Sequence, residues 1–193
     1  MVQVAQALAV PGRLSFVEAD LGQWRPRQAV DVVVSNSTLQ WVPDHLHLLP
    51  CLVDTLAPEG WLAFQVPDNF GEPSHVVLAE LRQGRRWRDK VGAGADRPAV
   101  HRPETYLTAL ADLGLLVDAW QTTYLHVLPG QDAVLEWTKG TAMRPILAAL
   151  DDAERVEFLD EYAAGLRSAY PQRAYGTVLP FRRIFVVAHR IAG

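Results

Sequence analysis

One cysteine, Cys51, stands in 193 residues, which excludes an intrachain disulfide and fits a reducing compartment. Its neighbours follow a helical apolar pattern, so it reads as core packing. No apolar run approaches the roughly 20 residues of a membrane-spanning helix, and no charged-then-apolar leader opens the sequence. A cytoplasmic protein without a membrane partner is expected. Positive charge is not in excess: 18 Lys and Arg against 22 Asp and Glu, a net charge of −4, give no reason to expect nucleic acid. The six histidines and the cysteine form no ligand-spaced cluster, so no metal is implied. A GxGxxG loop is also missing, since Gly92 and Gly94 follow no strand pattern, and this disfavours a dinucleotide-dependent dehydrogenase.

What is there is an ordinary globular composition, 49% hydrophobic and 21% charged, in a length that suits one domain with an added lobe. The chain is organised around DVVVSNSTLQWVPDHLH, from Asp31 to His47. Three consecutive valines predict a strand buried on both faces. Ser35, Asn36, Ser37 and Thr38 stop it, and Pro43-Asp44 predicts a capped helix start. A buried strand that ends in a hydroxyl-rich lip and turns into a helix is the place where open α/β sheets hold ligands. The alternative is that Ser35 and Asn36 only satisfy backbone groups in the turn.

Around this stretch the pattern predicts an α/β fold. A short helix spans Met1 to Val10, and a strand over Leu14 to Ala19 carries Asp20 at its end. A helix from Asp44 to Leu56 is kinked at Pro50. Ala57 to Gly60 break the chain, and a buried strand from Trp61 to Val66 ends in Pro67-Asp68-Asn69. Helices follow from Ser74 to about Arg82 and from Pro103 to Leu113, the latter stopped by Gly114. Between them, Gly84 to Pro103 reads as a solvated, mobile basic loop. Leu115 to Val127 alternates with period two as an edge strand, and Phe181 to Arg190 is its antiparallel mate. The residues between these two strands, Asp132 to Tyr170, read as a helical cap over the carboxyl edge of the sheet. Asp151 with Glu154 makes a capping box, and Val156, Leu159, Tyr162, Ala163, Leu166 and Tyr170 make one stripe.

Five segments carry a family resemblance: FVEADLGQW (Phe16–Trp24), VVVSNSTLQWVPDH (Val32–His45), LAPEGWLAFQVPDNFGEPSH (Leu56–His75), VDAWQTTYLHVLPG (Val117–Gly130) and LPFRRIFVVA (Leu179–Ala188). Together they resemble class I S-adenosylmethionine-dependent methyltransferases, in particular the branch acting on trans-aconitate. The resemblance implies a Rossmann-like sheet, N-terminally incomplete, with a helical insertion between the last two antiparallel strands. The corresponding division is 1–128 for the partial core, 129–178 for the cap and 179–193 for the final strand. The family's glycine-rich cofactor loop and the strand ending in a ribose-holding acid are not in this sequence, and Met1 matches an internal point of the helix that follows them. An N-terminally shortened chain is therefore expected, with its central strand as an exposed apolar edge and a homodimer as one way to cover it.

The implied cofactor is S-adenosylmethionine, with Asp20 and Leu21 at the adenine and Ser35 and Asn36 at the lip. Asp20 alone would equally cap the turn before Gln23-Trp24. The implied reaction is methylation of one carboxylate of a small polycarboxylic acid, by positioning rather than by a catalytic base. Trp41, His45, Tyr124, His126, Arg182 and Arg183 are the substrate candidates, with Arg85, Arg86 and His101 as further carboxylate partners. Strand alternation sets Arg182 and Arg183 on opposite faces, and the sequence does not choose between them. Trp137, Lys139 and Arg144 either line the inner side of the cap or, for Trp137, pack in its core. A same-fold methyltransferase with another acceptor, and an inactive fragment serving as a binding module, are the alternatives.

Overall fold

The structure is a computed structural model that describes residues 2–92, 100–140 and 143–191. In chain order the elements are α1 (Val2–Gln6), β1 (Val30–Asn36), α2 (Leu49–Val53), β2 (Leu56–Pro67), α3 (Pro73–Gln83), α4 (Arg88–Val91), α5 (Pro103–Ala111), β3 (Leu115–Leu128), α6 (Ala133–Lys139), α7 (Arg144–Ala148), α8 (Asp152–Ala169) and β4 (Thr177–Arg190). The four strands form one sheet in the order β1-β2-β4-β3. β1 and β2 are parallel, and β4 runs antiparallel to both β2 and β3. None of the described helices is long and apolar enough to cross a membrane.

Period-two alternation decides which face of the sheet is covered. Leu62, Phe64 and Val66 of β2 and Ile184, Val186 and Ala188 of β4 share one face and are almost fully buried under Leu49, Leu52, Tyr106 and Leu110 from α2 and α5. The opposite face is thinly covered: Val32 is 54% exposed, Val34 73%, and Trp61, Trp120 and Tyr124 are each about two-fifths exposed. β1 is thus an edge strand, half-buried on one side at Val33 and exposed on the other, and the reading of its three valines as doubly buried is corrected. The bare edge that the sequence led us to expect is present.

Other expectations change for equally local reasons. Leu14 to Ala19 form no strand; the only pairing there is an isolated bridge between Val10 and Leu14, because a strand exists only where a neighbour completes its ladder. Asp44 is left-handed (φ 53°) with no capping bond, and the stretch after it is a 3-10 turn, His45–Leu48, that leads into the short α2. Pro50 lies in the first turn of α2, where its missing N–H costs nothing, so no kink arises. Ala57 to Gly60 do not break the chain but bulge inside β2, where the register jumps from Val30–Leu56 to Val32–Trp61. Only glycine fits at position 60, since a Cβ there would lie 2.8 Å from the Ala57 carbonyl.

A second core lies around α8, where Phe158, Tyr162, Ala163 and Leu166 pack with Trp87, Val134, Met143 and Ile146. Phe158 takes the buried place expected for Val156, which is 59% exposed. The predicted capping box is present, with Asp151 and Glu154 each accepting the other's backbone N–H. The basic stretch after Gly84 is not a free loop over its described part: Trp87 is buried, Arg86 pairs with Glu157 and Glu161, and Lys90 pairs with Glu154. Residues 93–99 of that stretch lie outside the described residues. Trp137 is 40% exposed rather than core, and Lys139 is paired with Glu136.

α3 and α8 approach so closely at Gly165 that an added Cβ would lie 2.5 Å from Val77 Cγ1. Valine is stiff at χ1 and cannot turn aside cheaply. Gly165→Ala gains roughly 1 kcal/mol of helix propensity but costs about 1–3 kcal/mol in overpacking. A net loss of thermal midpoint is expected, and the double variant with Val77→Ala should recover part of it in a melting experiment.

Candidate functional site

The carboxyl ends of β1 and β2 and the facing part of β4 make the lip. Ser37, left-handed at φ 53°, turns the chain out of β1 and donates its N–H to the Gln65 carbonyl at 3.0 Å. Below it, the edge of β1 from Val32 to Asn36 lines a cavity of about 480 Å³ together with Val17, Ala19, Leu21 and Trp24. Mostly apolar walls with three polar residues, Ser35, Asn36 and Thr38, suit a flat, partly polar ring. Ser35 Oγ is buried there without a hydrogen-bond partner, the kind of group a ligand's polar edge would satisfy. Asp20 is exposed beside Leu21, and its carboxylate accepts the Gly22 N–H at 2.8 Å. It caps its own turn, with its other oxygen unassigned.

On the thinly covered face, β3, β4 and α6 assemble an aromatic wall. His126 lies 5.1 Å from Trp137 and 6.0 Å from Phe181, centroid to centroid, and Tyr124 stacks on it at 6.2 Å. Arg183 lays its guanidinium 4.6 Å over the Phe181 ring and donates to Gln65 Oε1. Among the described residues no carboxylate stands within ion-pair distance of Arg183. Arg182 is treated differently: Asp68 accepts from its Nε at 2.9 Å, and Glu72 lies 3.6 Å from its terminal nitrogen. Its charge is cancelled by two acids.

Trp41 projects from the turn after the lip, 67% exposed. His45, by contrast, is fully buried on the covered face, with Nε2 2.8 Å from the Tyr106 hydroxyl. That hydroxyl also accepts the His101 backbone N–H at 3.2 Å, so one phenol oxygen ties His45 to the segment that leads into α5. At this end of the sheet Arg183 stands on an inner strand beside Phe181 and Gln65, with Ser35 and Asn36 on one outer strand, β1, and Tyr124 and His126 on the other, β3, while His45 and Arg182 are held by neighbouring side chains. Sequence reading passed over Gln65 and Phe181. The only signal for Gln65 was a single amide in the apolar run from Trp61 to Val66.

Burial lowers the His45 pKa, helped by His101 and opposed by the Val42 backbone and Asp44. A histidine whose native pKa lies below its unfolded value of about 6.5 keeps full stability above that value and loses it as pH falls, because the unfolded chain takes the proton first. The melting midpoint is therefore expected to drop as pH falls from 7 toward 5, with a shallower slope in His45→Gln. Burial also pushes Tyr106 and Tyr162 up to about 12. Their contribution is present below about pH 10 and is lost above it.

The sequence model described as a methyltransferase domain matches residues 5–119. The trans-aconitate 2-methyltransferase of Streptomyces avermitilis is 50% identical over 197 residues, covering 100% of this chain and 73% of the relative. The protein of the same name from Streptomyces coelicolor is 50% identical over 201 residues, covering 100% of this chain and 66% of its own. Its namesake in Yersinia pestis is 42% identical over 177 residues, covering 91% and 69%. Two solved structures share the fold: the YcgJ protein of Bacillus subtilis, with TM-score 0.54 at 13% identity over 100% of this chain and 79% of that one, and a methyltransferase-like protein of Bacillus halodurans, with TM-score 0.52 at 16% identity over 99% and 79%.

Proposed function

We propose, from the premise that this chain belongs to the S-adenosylmethionine-dependent methyltransferase family, that it methylates a carboxylate of trans-aconitate or a closely similar small polycarboxylic acid in the cytoplasm. The observation that carries this reading is Arg183, a guanidinium with no acid partner among the described residues, set over an aromatic wall at the lip of the sheet. Guanidinium matches carboxylate geometry and stacks on aromatic faces. S-adenosylmethionine, the family's cofactor, supplies an electrophilic sulfonium methyl when bound. The residues present fit its adenine side: the slot between Leu21 and β1 suits the ring, Asp20 has an oxygen for the exocyclic amine, and Ser35 Oγ and Asn36 offer polar partners at the mouth.

The acceptor carboxylate is ionised near neutral pH and needs no base. The work of this chain's residues is to bind, orient and desolvate. Arg183 holds a carboxylate that is not methylated, Tyr124 and His126 donate to the substrate's remaining oxygens, and Trp41 closes the outer side. Arg182 and His45 act one step back, by fixing the turn at Asp68 and the packing under the lip. The division into a core at 1–128, a cap at 129–178 and a final strand at 179–193 belongs to the same reading. Calorimetric titration with S-adenosylmethionine tests the slot. Saturable binding that weakens in Leu21→Asp supports the reading, and binding unaffected by that change speaks against it.

The bare β1 edge favours a second reading of the assembly, in which two copies pair along Val32 and Val34. Light scattering across a dilution series decides it. A dimer that dissociates in Val34→Lys supports pairing, and a concentration-independent monomer excludes it.

A further inference from the structure

Gln65 is an unusual residue for its position. It lies inside the sheet, paired with Asn36 of β1 and Phe185 of β4, and is only 7% exposed. An amide buried there without partners would cost roughly 1–3 kcal/mol. Its partners are specific: Oε1 accepts from Arg183, and the amide meets the Ser37 hydroxyl at 3.4 Å. One side chain therefore ties the turn that leaves β1 to the guanidinium on β4. Both groups touching that guanidinium, the Gln65 amide and the Phe181 ring, are neutral. The adjacent Arg182 is cancelled by Asp68 and Glu72. Two neighbouring arginines are thus held in opposite ways, one by acids and one by an amide.

We infer that Gln65 is a positioning residue that fixes the Arg183 guanidinium at the lip while preserving its charge for a substrate carboxylate, and so sets selectivity for polyanionic acids. A glutamate here would reach the same atoms and cancel the charge. A methionine would keep the volume and remove the acceptor. The inference rests on the carboxylate-acceptor reading above and sharpens it.

The test titrates wild type, Gln65→Glu and Gln65→Met with trans-aconitate, citrate and tricarballylate by calorimetry, with a thermal midpoint for each protein. The glutamate variant is expected to fold with a midpoint at or above wild type, because it gains an ion pair, yet to bind roughly tenfold or more weakly. The methionine variant is expected to lose midpoint and only a few-fold in affinity. A merely structural glutamine would make affinity follow the midpoint instead. The inference is overturned if the glutamate variant binds like wild type or does not fold, if both variants weaken binding equally, or if wild type binds none of the three acids. If wild type binds citrate or tricarballylate but not trans-aconitate, with the same order across the variants, the inference stands and the proposed substrate falls.

Discussion

Arg183→Met is expected to weaken binding of a polycarboxylate by roughly a hundredfold, since a desolvated charge pair that loses one partner costs a few kcal/mol. The fold should survive, because the guanidinium contributes one hydrogen bond and one ring contact, and Gln65 keeps Ser37 as a partner. Arg183→Lys keeps the charge without the fork and should fall between the two. Arg182→Met is the informative control. It leaves Asp68 and Glu72 facing each other without their cation, so it should lower the melting midpoint while changing affinity much less. A reversal of that order would move the substrate cation from Arg183 to Arg182.

Phe64→Ala carries the largest expected stability loss, about 3–5 kcal/mol. Phe64 is 3% exposed on the covered face, pairs with Ser35 and Val186, and meets Tyr106 edge to face at 5.2 Å. For a chain of this length each kcal/mol moves the midpoint by about 2–4 °C, so a drop of roughly 6–20 °C is expected by calorimetry. Val34→Thr, one strand away but on the bare face and 73% exposed, should shift it by no more than about 0.5 kcal/mol. The contrast between the two measures how one-sided the core is.

Much of this architecture is legible in the residues. The alternation from Leu115 to Val127 and the run from Phe181 onward give the paired strands β3 and β4, and Asp151 with Glu154 marks the start of α8. These features are local, and here local propensity and the final fold agree. What the sequence hides depends on partners distant in the chain. Leu14 to Ala19 have strand composition but no ladder to join. Pro58 and Gly60 look like a stop, yet the chain re-enters the same strand after a bulge. Alternation separates Arg182 from Arg183 but cannot say which faces acids, because Asp68 and Glu72 arrive from a turn more than a hundred residues earlier. His45 reads as a substrate candidate after the lip, and only the Tyr106 hydroxyl, brought in by α5, explains its burial. Gln65 is the same lesson at the site itself: an isolated amide in an apolar run has no meaning until Ser37 and Arg183 converge on it.

The most direct test of the central claim is to incubate the purified chain with S-adenosylmethionine labelled in its methyl group and with trans-aconitate, and to follow the label by mass spectrometry. The account predicts one labelled methyl per acceptor molecule, carried as a monoester, at a rate that saturates with acid and falls in Arg183→Met. Label that reaches no carboxylic acid, or that accumulates equally in wild type and Arg183→Met, would contradict it.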